Sequence, residues 1–222
     1  MLTTSFLFGG DRFKLISGST YVNRKHSMVI KALSKPPNIE RYYELAALIP
    51  NCMLSRVEAV ELHTAITSSQ GKSKKFGIMM PYIRDLKSTC SFLSESQRLS
   101  LYLQIIDTLM AALPSFDVCS ECSLASVFWW RKGGKLVVLN PMRLFRTQRG
   151  TFEQRLVRFG RMMEKVDCVI AQSPGDTIFE LLVDLKQSIR FHQPREQMEL
   201  IQGLTAAVKT ELYASQLALA LE

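Results

Sequence analysis

A lysine closing an apolar run is the first residue in this chain whose type and setting could do chemistry. Lys31 follows Met28-Val29-Ile30, and an ammonium on an otherwise buried strand is costly unless an anion meets it. Its expected partner is a carboxylate or a phosphate. Carboxylates stand nearby: beyond Pro36-Pro37, the helix-like segment from Asn38 to Leu48 carries Glu40 and Glu44, one turn apart on one helix face. The plainer alternative is a strand-end lysine whose aliphatic stem carries the charge out to water. The surrounding chain must decide between them.

A second constellation is Cys119-Ser120-Glu121-Cys122, which has C-x-x-C spacing. No second C-x-x-C or His pair stands near it to complete a tetrahedral zinc site, so both cysteines read as ordinary small buried residues. The cysteines number five, and the odd count fits reduced thiols better than a disulfide frame. The net charge of +8 favours anionic partners such as nucleic acid, phosphoproteins or acidic headgroups. Its densest clusters are Lys72-Ser73-Lys74-Lys75 and Arg143, Arg146 and Arg149. Neither is interleaved with aromatics as a base-stacking platform would be, and both read as solvated loops.

With 222 residues and 47% hydrophobic content, the chain can bury a sizeable core as one domain or two small lobes. The first eight residues lack the basic flank and long apolar centre of a secretory signal, and no run approaches the ~20 apolar residues of a membrane span. An intracellular, cytoplasmic protein is expected.

Several elements must position these residues. Phe6 to Phe8, Phe13 to Ile16, Tyr21-Val22 and Met28 to Leu33 read as a meander of strands between turn-forming stretches. Helical spacing then runs from Asn38 to Pro50, and two β-like runs follow, Val57 to Leu62 and Phe76 to Met80, joined by a lysine-rich loop from Thr67 to Lys75. From Ser94 the character changes. Ser94-Glu95-Ser96-Gln97 offers an N-cap, and Leu99, Leu103, Ile106, Leu109, Met110 and Leu113 give an apolar stripe ending at Pro114. A hairpin of Val127 to Trp130 and Lys135 to Leu139 is expected next, then helices near 152–166, 176–190 and 195–219. The last of these has an apolar face that packs on the second lobe or receives a partner.

Met28-Val29-Ile30-Lys31 resembles the V-A-I-K strand, the third, of the eukaryotic-type protein kinase fold, and the order of elements resembles that fold over residues 6 to 145. The resemblance implies an α+β, two-lobed architecture: a β-rich N-lobe over 1–82, a hinge region over 83–93 and a reduced, mostly helical C-lobe over 94–222. It also implies a nucleotide site. Gly9-Gly10 stands where the family has its phosphate-covering glycine loop, Lys31 where the phosphate-gripping lysine lies, and Glu44 or Glu40 where its helix glutamate lies. Glu44 has the better spacing from Lys31, and Glu40 the better distance from Pro50-Asn51. Met80 falls at the gatekeeper position, with Pro81-Tyr82 in the hinge.

Departures from the pattern fall on the groups that do the chemistry. Cys119-Ser120-Glu121 replaces H-R-D, so Glu121 takes the place of the catalytic-base aspartate. Ser126 replaces the metal-binding asparagine, Asn140 replaces the metal-binding aspartate, and Pro141-Met142 replaces Phe-Gly. Glutamate is one methylene longer than aspartate, and a catalytic group displaced by about 1 Å can cost on the order of a hundredfold in rate. Mg²⁺ favours carboxylates with phosphates, so two of its ligands are weakened together. The resemblance thus implies a pseudokinase that scaffolds or regulates another protein, with ATP binding retained or lost and Mg²⁺ binding doubtful. Two alternatives stay open: a divergent active protein kinase using Glu121 as base, and a basic, non-enzymatic module that binds an acidic partner or RNA.

Overall fold

Side-chain alternation along the N-terminal strands builds the first of two compact units, Met1–Glu44 with Leu54–Asp85. The computed structural model describes residues 3–49, 57–67, 71–84, 86–88, 93–131, 133–166, 176–191 and 193–221. Strands β1 (Ser5–Phe8), β2 (Asp11–Ser17), β3 (Thr20–Asn23) and β4 (Met28–Leu33) form an antiparallel meander. Helix α1 (Ile39–Leu48) then leads to β5 (Glu58–Thr67), and β6 (Ser73–Pro81) returns between β4 and β5. The sheet order is β1-β2-β3-β4-β6-β5.

One face of this sheet buries Phe13, Tyr21, Ile30, Ala32, Leu62 and Ile66, with Phe6, Phe8 and Met79 packed against them. Phe6 stacks on Phe13 at 5.6 Å and meets the edge of Tyr21 at 4.9 Å. The sheet curls until its outer strands meet. Thr3 N–H donates to the Thr67 carbonyl at 3.1 Å, and Thr67 N–H donates to Thr3 Oγ1 at 3.0 Å. These bonds satisfy backbone groups that an open edge would leave exposed. Gly77 of β6 permits the close packing, because a Cβ there would lie 3.0 Å from Ile30 Cγ2 and 3.1 Å from Val60 Cγ2.

The second unit, Leu45–Met53 with Leu86–Glu222, is organised by one buried helix. Its elements in order are β7 (Leu86–Ser88), α2 (Glu95–Ala112), β8 (Phe116–Val118), α3 (Leu124–Val127), β9 (Phe128–Arg131), β10 (Lys135–Val138), α4 (Pro141–Leu144), β11 (Phe145–Thr147), α5 (Phe152–Val166), α6 (Asp176–Arg190) and α7 (Pro194–Leu221). Ser94 caps α2 in a capping box. Gln97 N–H donates to Ser94 Oγ at 3.3 Å, and Ser94 N–H donates to Gln97 Oε1 at 3.1 Å. Leu101, Tyr102 and Ile105 are buried alongside Leu99, Ile106 and Leu109. The helix is therefore enclosed on more than its predicted stripe, as a central core helix is.

Gln104 of α2 fixes the β9–β10 hairpin. Its Nε2 donates to the Gly134 carbonyl at 2.9 Å, and its Oε1 accepts from Leu136 N–H at 2.9 Å. The three long C-terminal helices lie where the periodicity places them, with α7 starting at Pro194. Strands β5 and β6 extend to Thr67 and from Ser73, so the lysine-rich loop is shorter than expected. The expected turn at Pro50-Asn51 lies outside the described residues. The fold is α+β, β-rich first and mostly helical second. Among the described residues no helix is long and apolar enough to cross a membrane.

Candidate functional site

In the first unit, register decides which of the expected nucleotide residues come together. Lys31 pairs with Thr20 on β3 and Ile78 on β6, while Val29 pairs with Met80. Residues directly opposite or two apart share a sheet face, so half-buried Lys31 and Met80 lie on one face, opposite the face that buries Ile30 and Met79. Tyr82 follows, its N–H donating to the Ser27 carbonyl at 2.7 Å. Glu44 is exposed on α1 beside Arg41, whose guanidinium burial holds below its ordinary value, an effect that this carboxylate offsets only in part.

Gly9 and Gly10 do not come to Lys31. They form a two-residue hairpin turn between Phe8 and Asp11 with φ of +56° and +82°, both positive as a mirror-image hairpin turn requires. The turn sits beyond the Asn23 and Met28 end of the sheet. Lys31 faces Thr20 at the other end, beside the turn of Gly18, where Ala32 N–H donates to the Ser19 carbonyl at 2.8 Å. The reason lies in the number of strands before Lys31. Lys31 stands on the fourth strand of the meander rather than the third, which moves the first glycine turn one hairpin away. The strand count was the available signal.

In the second unit, two short strands hold the stretch that carries Glu121, Ser126 and Asn140. β8 pairs with β11 through Val118–Phe145, Asp117–Arg146 and Phe116–Thr147. The pairing continues as Cys119 N–H donates to the Leu144 carbonyl at 2.7 Å. A tight turn follows, with Cys122 N–H donating to the Cys119 carbonyl at 3.3 Å, then the single-turn α3. Lys165 of α5 donates to the Ser120 and Cys122 carbonyls and holds the turn from outside.

Ser126 and Asn140 do come together. The Asn140 carboxamide Nδ2 donates to the Ser126 carbonyl at 2.7 Å, and Leu139 N–H donates to the Val127 carbonyl at 2.9 Å. The Ser126 hydroxyl is directed at its own helix turn, donating to the Ser123 carbonyl at 2.7 Å. Both side chains are thus engaged as donors to backbone. A hard cation needs oxygen lone pairs and favours carboxylates. Neither residue offers a carboxylate, and among the described residues no three His, Cys, Asp or Glu side chains gather to hold a metal.

Glu121 points outward. Its side chain is 83% exposed, with Arg146 Nη2 at 3.6 Å from its carboxylate. Beneath it lies a residue that the sequence reading missed: Asp117, 7% exposed, with both oxygens accepting from Arg158 Nη2 at 2.8 and 2.9 Å and Oδ2 also accepting from Arg149 N–H at 2.9 Å. Arg146, Arg149 and Arg158 line a shallow pocket with Asp117 and Glu121. Arg146 and Arg149, read from sequence as solvated, are exposed, although Arg149 is anchored through its backbone.

No protein-family model matches the sequence, and comparison with curated proteins finds no match. Among solved structures, the chain is similar to the Mycobacterium tuberculosis PknI kinase domain, with a TM-score of 0.48 and 11% identity over 95% of this chain and 99% of that one.

Proposed function

We propose that this chain is a kinase-fold protein impaired in phosphotransfer, acting as a scaffold or allosteric regulator of another protein. The hydrogen bond from Asn140 to the Ser126 carbonyl carries the reading. It joins the two positions at which the kinase resemblance calls for metal ligands, and it occupies one of them with a neutral donor. Glu121 supports the same reading, because its carboxylate is open to water and faces a guanidinium rather than a site that excludes water. ATP binding is a separable part of the proposal. It is supported by Lys31 and Met80 sharing a sheet face next to the Gly18 turn.

The test follows transfer of radiolabelled γ-phosphate from ATP to a generic basic protein and to the chain itself, for wild type, Lys31→Ala and Glu121→Ala. Equal background in all three is expected. Transfer by wild type that both substitutions abolish overturns the proposal in favour of an active kinase. Thermal shift with ATP, with and without Mg²⁺, separates the nucleotide question. A metal-independent shift lost in Lys31→Ala is expected, and the absence of any shift leaves a scaffold without nucleotide.

A further inference from the structure

We propose that Cys119 and Cys122 are a modification site: a dithiol that closes to an intramolecular disulfide on reaction with a low-molecular-weight disulfide such as oxidised glutathione. Two separate features of the fold bring the sulfurs together. The first is the backbone. The Cys122 N–H to Cys119 carbonyl bond at 3.3 Å closes a four-residue turn, and such turns hold their end Cα atoms within about 7 Å, close to the roughly 4.4–6.8 Å that a disulfide spans. The second is the side chains. Both are buried in the same hydrophobic cluster, so the two side chains lie on the inner side of the turn. Both cysteines are free and buried, and Cys122 Sγ also donates to the Arg143 carbonyl at 3.5 Å.

A structural metal is the other use of such a pair, but it needs further ligands, and among the described residues none gather there. Access comes through the turn itself. Its residue Glu121 is exposed while the two cysteines flanking it are buried. Arg143 and Arg146 favour the Cys122 thiolate electrostatically, while burial opposes it.

The reaction balances in two exchanges. One cysteine thiolate attacks a sulfur of the small disulfide, forming a mixed disulfide and expelling one small thiolate. The other cysteine thiolate attacks the protein-side sulfur, forming the Cys119–Cys122 bond and expelling the second. The protein loses two protons and two electrons, and the small disulfide becomes two thiols. Glu121 then lies inside a closed ring, and the Cys122 contact with Arg143 is lost.

The experiment equilibrates the full chain, native and in guanidinium, with mixtures of oxidised and reduced glutathione, blocks remaining thiols by alkylation, and maps peptides by mass. In the native chain the peptide carrying both cysteines is expected to lose two hydrogens and escape alkylation, at a ratio of oxidised to reduced glutathione at least tenfold lower than in the unfolded chain. Cys122→Ser is expected to accumulate a glutathione adduct on Cys119. Native oxidation no easier than unfolded, both thiols alkylated while Cys52, Cys90 or Cys168 oxidises, or a bridge from the pair to one of those three would each overturn the proposal. The wild-type comparison decides alone if the serine variant does not fold.

Discussion

Arg158 of α5 closes on the buried carboxylate of Asp117, its Nη2 lying 2.8 and 2.9 Å from the two oxygens. The same carboxylate accepts from the Arg149 backbone N–H at 2.9 Å, so one acid ties α5 and the segment after β11 to β8. Removing one partner of a buried pair leaves an uncompensated charge, which costs about 3–5 kcal/mol. Arg158 is 33% exposed, which places the expected loss toward the lower end of that range. Arg158→Ala should cost about 3 kcal/mol in urea unfolding, because buried Asp117 loses its counter-charge. Asp117→Ala should cost a similar amount, and the double substitution less than the sum of the two. Strict additivity would mean that the two residues stabilise the fold independently.

The Asn140 carboxamide gives a second prediction. Asn140→Asp restores the acid that the kinase pattern expects, but it removes the donor that meets the Ser126 carbonyl and sets a carboxylate against a carbonyl oxygen. The expected cost is about 1–3 kcal/mol, that of a lost hydrogen bond plus an unsatisfied acceptor. With Ser126 Oγ still donating to Ser123, the single change should not bring a Mg²⁺-dependent thermal shift. A gain of stability with Mg²⁺ would show that one carboxylate suffices to build a metal site here.

The long elements are legible because their periods are summed over many residues. The stripe on α2, the Ser94 cap and the helices from Phe152, Asp176 and Pro194 each repeat a signal that chance does not sustain. β7, β8 and β11 have three residues each, too few for any period to show. Their strand character comes from partners far along the chain, such as Phe145 opposite Val118. The site divides in the same way. Ser126 and Asn140 can be picked out from the kinase resemblance, yet their contact depends on the β9–β10 hairpin register that Gln104 fixes from α2. Asp117 carries no local mark, because the arginine that makes it a buried acid stands 41 residues away. For the same reason C-x-x-C spacing alone could not show whether Cys119 and Cys122 converge.

Gln197 at the start of α7 offers a sharper test of the helical packing. It is fully buried, its Nε2 donating to the Ser188 carbonyl at 3.2 Å, while its Oε1 has no hydrogen-bond partner. The Ser188 carbonyl also accepts from Gln193 N–H at 2.9 Å, so removing the glutamine amide does not leave it empty. Gln197→Met keeps the volume and removes an orphaned oxygen worth about 1–3 kcal/mol. The variant should therefore be neutral or more stable than wild type by thermal unfolding. Gly160→Ala should destabilise by about 1–3 kcal/mol, since its Cβ would lie 2.8 Å from Gln197 Oε1 and 2.9 Å from Ile189 Cγ1. A marked loss of stability in Gln197→Met would show that the second hydrogen bond matters more than the unmet acceptor.

Alkaline stability reports on the same turn that carries Glu121. Burial pushes the Cys122 thiol above its ordinary value, and the neighbouring Cys119 thiol adds to the rise, more than Arg143 and Arg146 take away. The unfolded chain therefore releases this proton at lower pH than the folded one. Where the unfolded state binds fewer protons, stability falls as pH rises. The contribution is fully present below the ordinary thiol value and is lost progressively as pH climbs through the folded one. Urea midpoints measured from about pH 7 to about pH 10, the range in which free thiols titrate, should decline in wild type. The decline should be shallower in Cys122→Ala. Tyr21, whose hydroxyl burial also pushes upward, adds a later fall near the phenol range that the cysteine substitution leaves in place. Parallel curves for the two proteins would mean that the thiol keeps its ordinary acidity and that the turn is open to water.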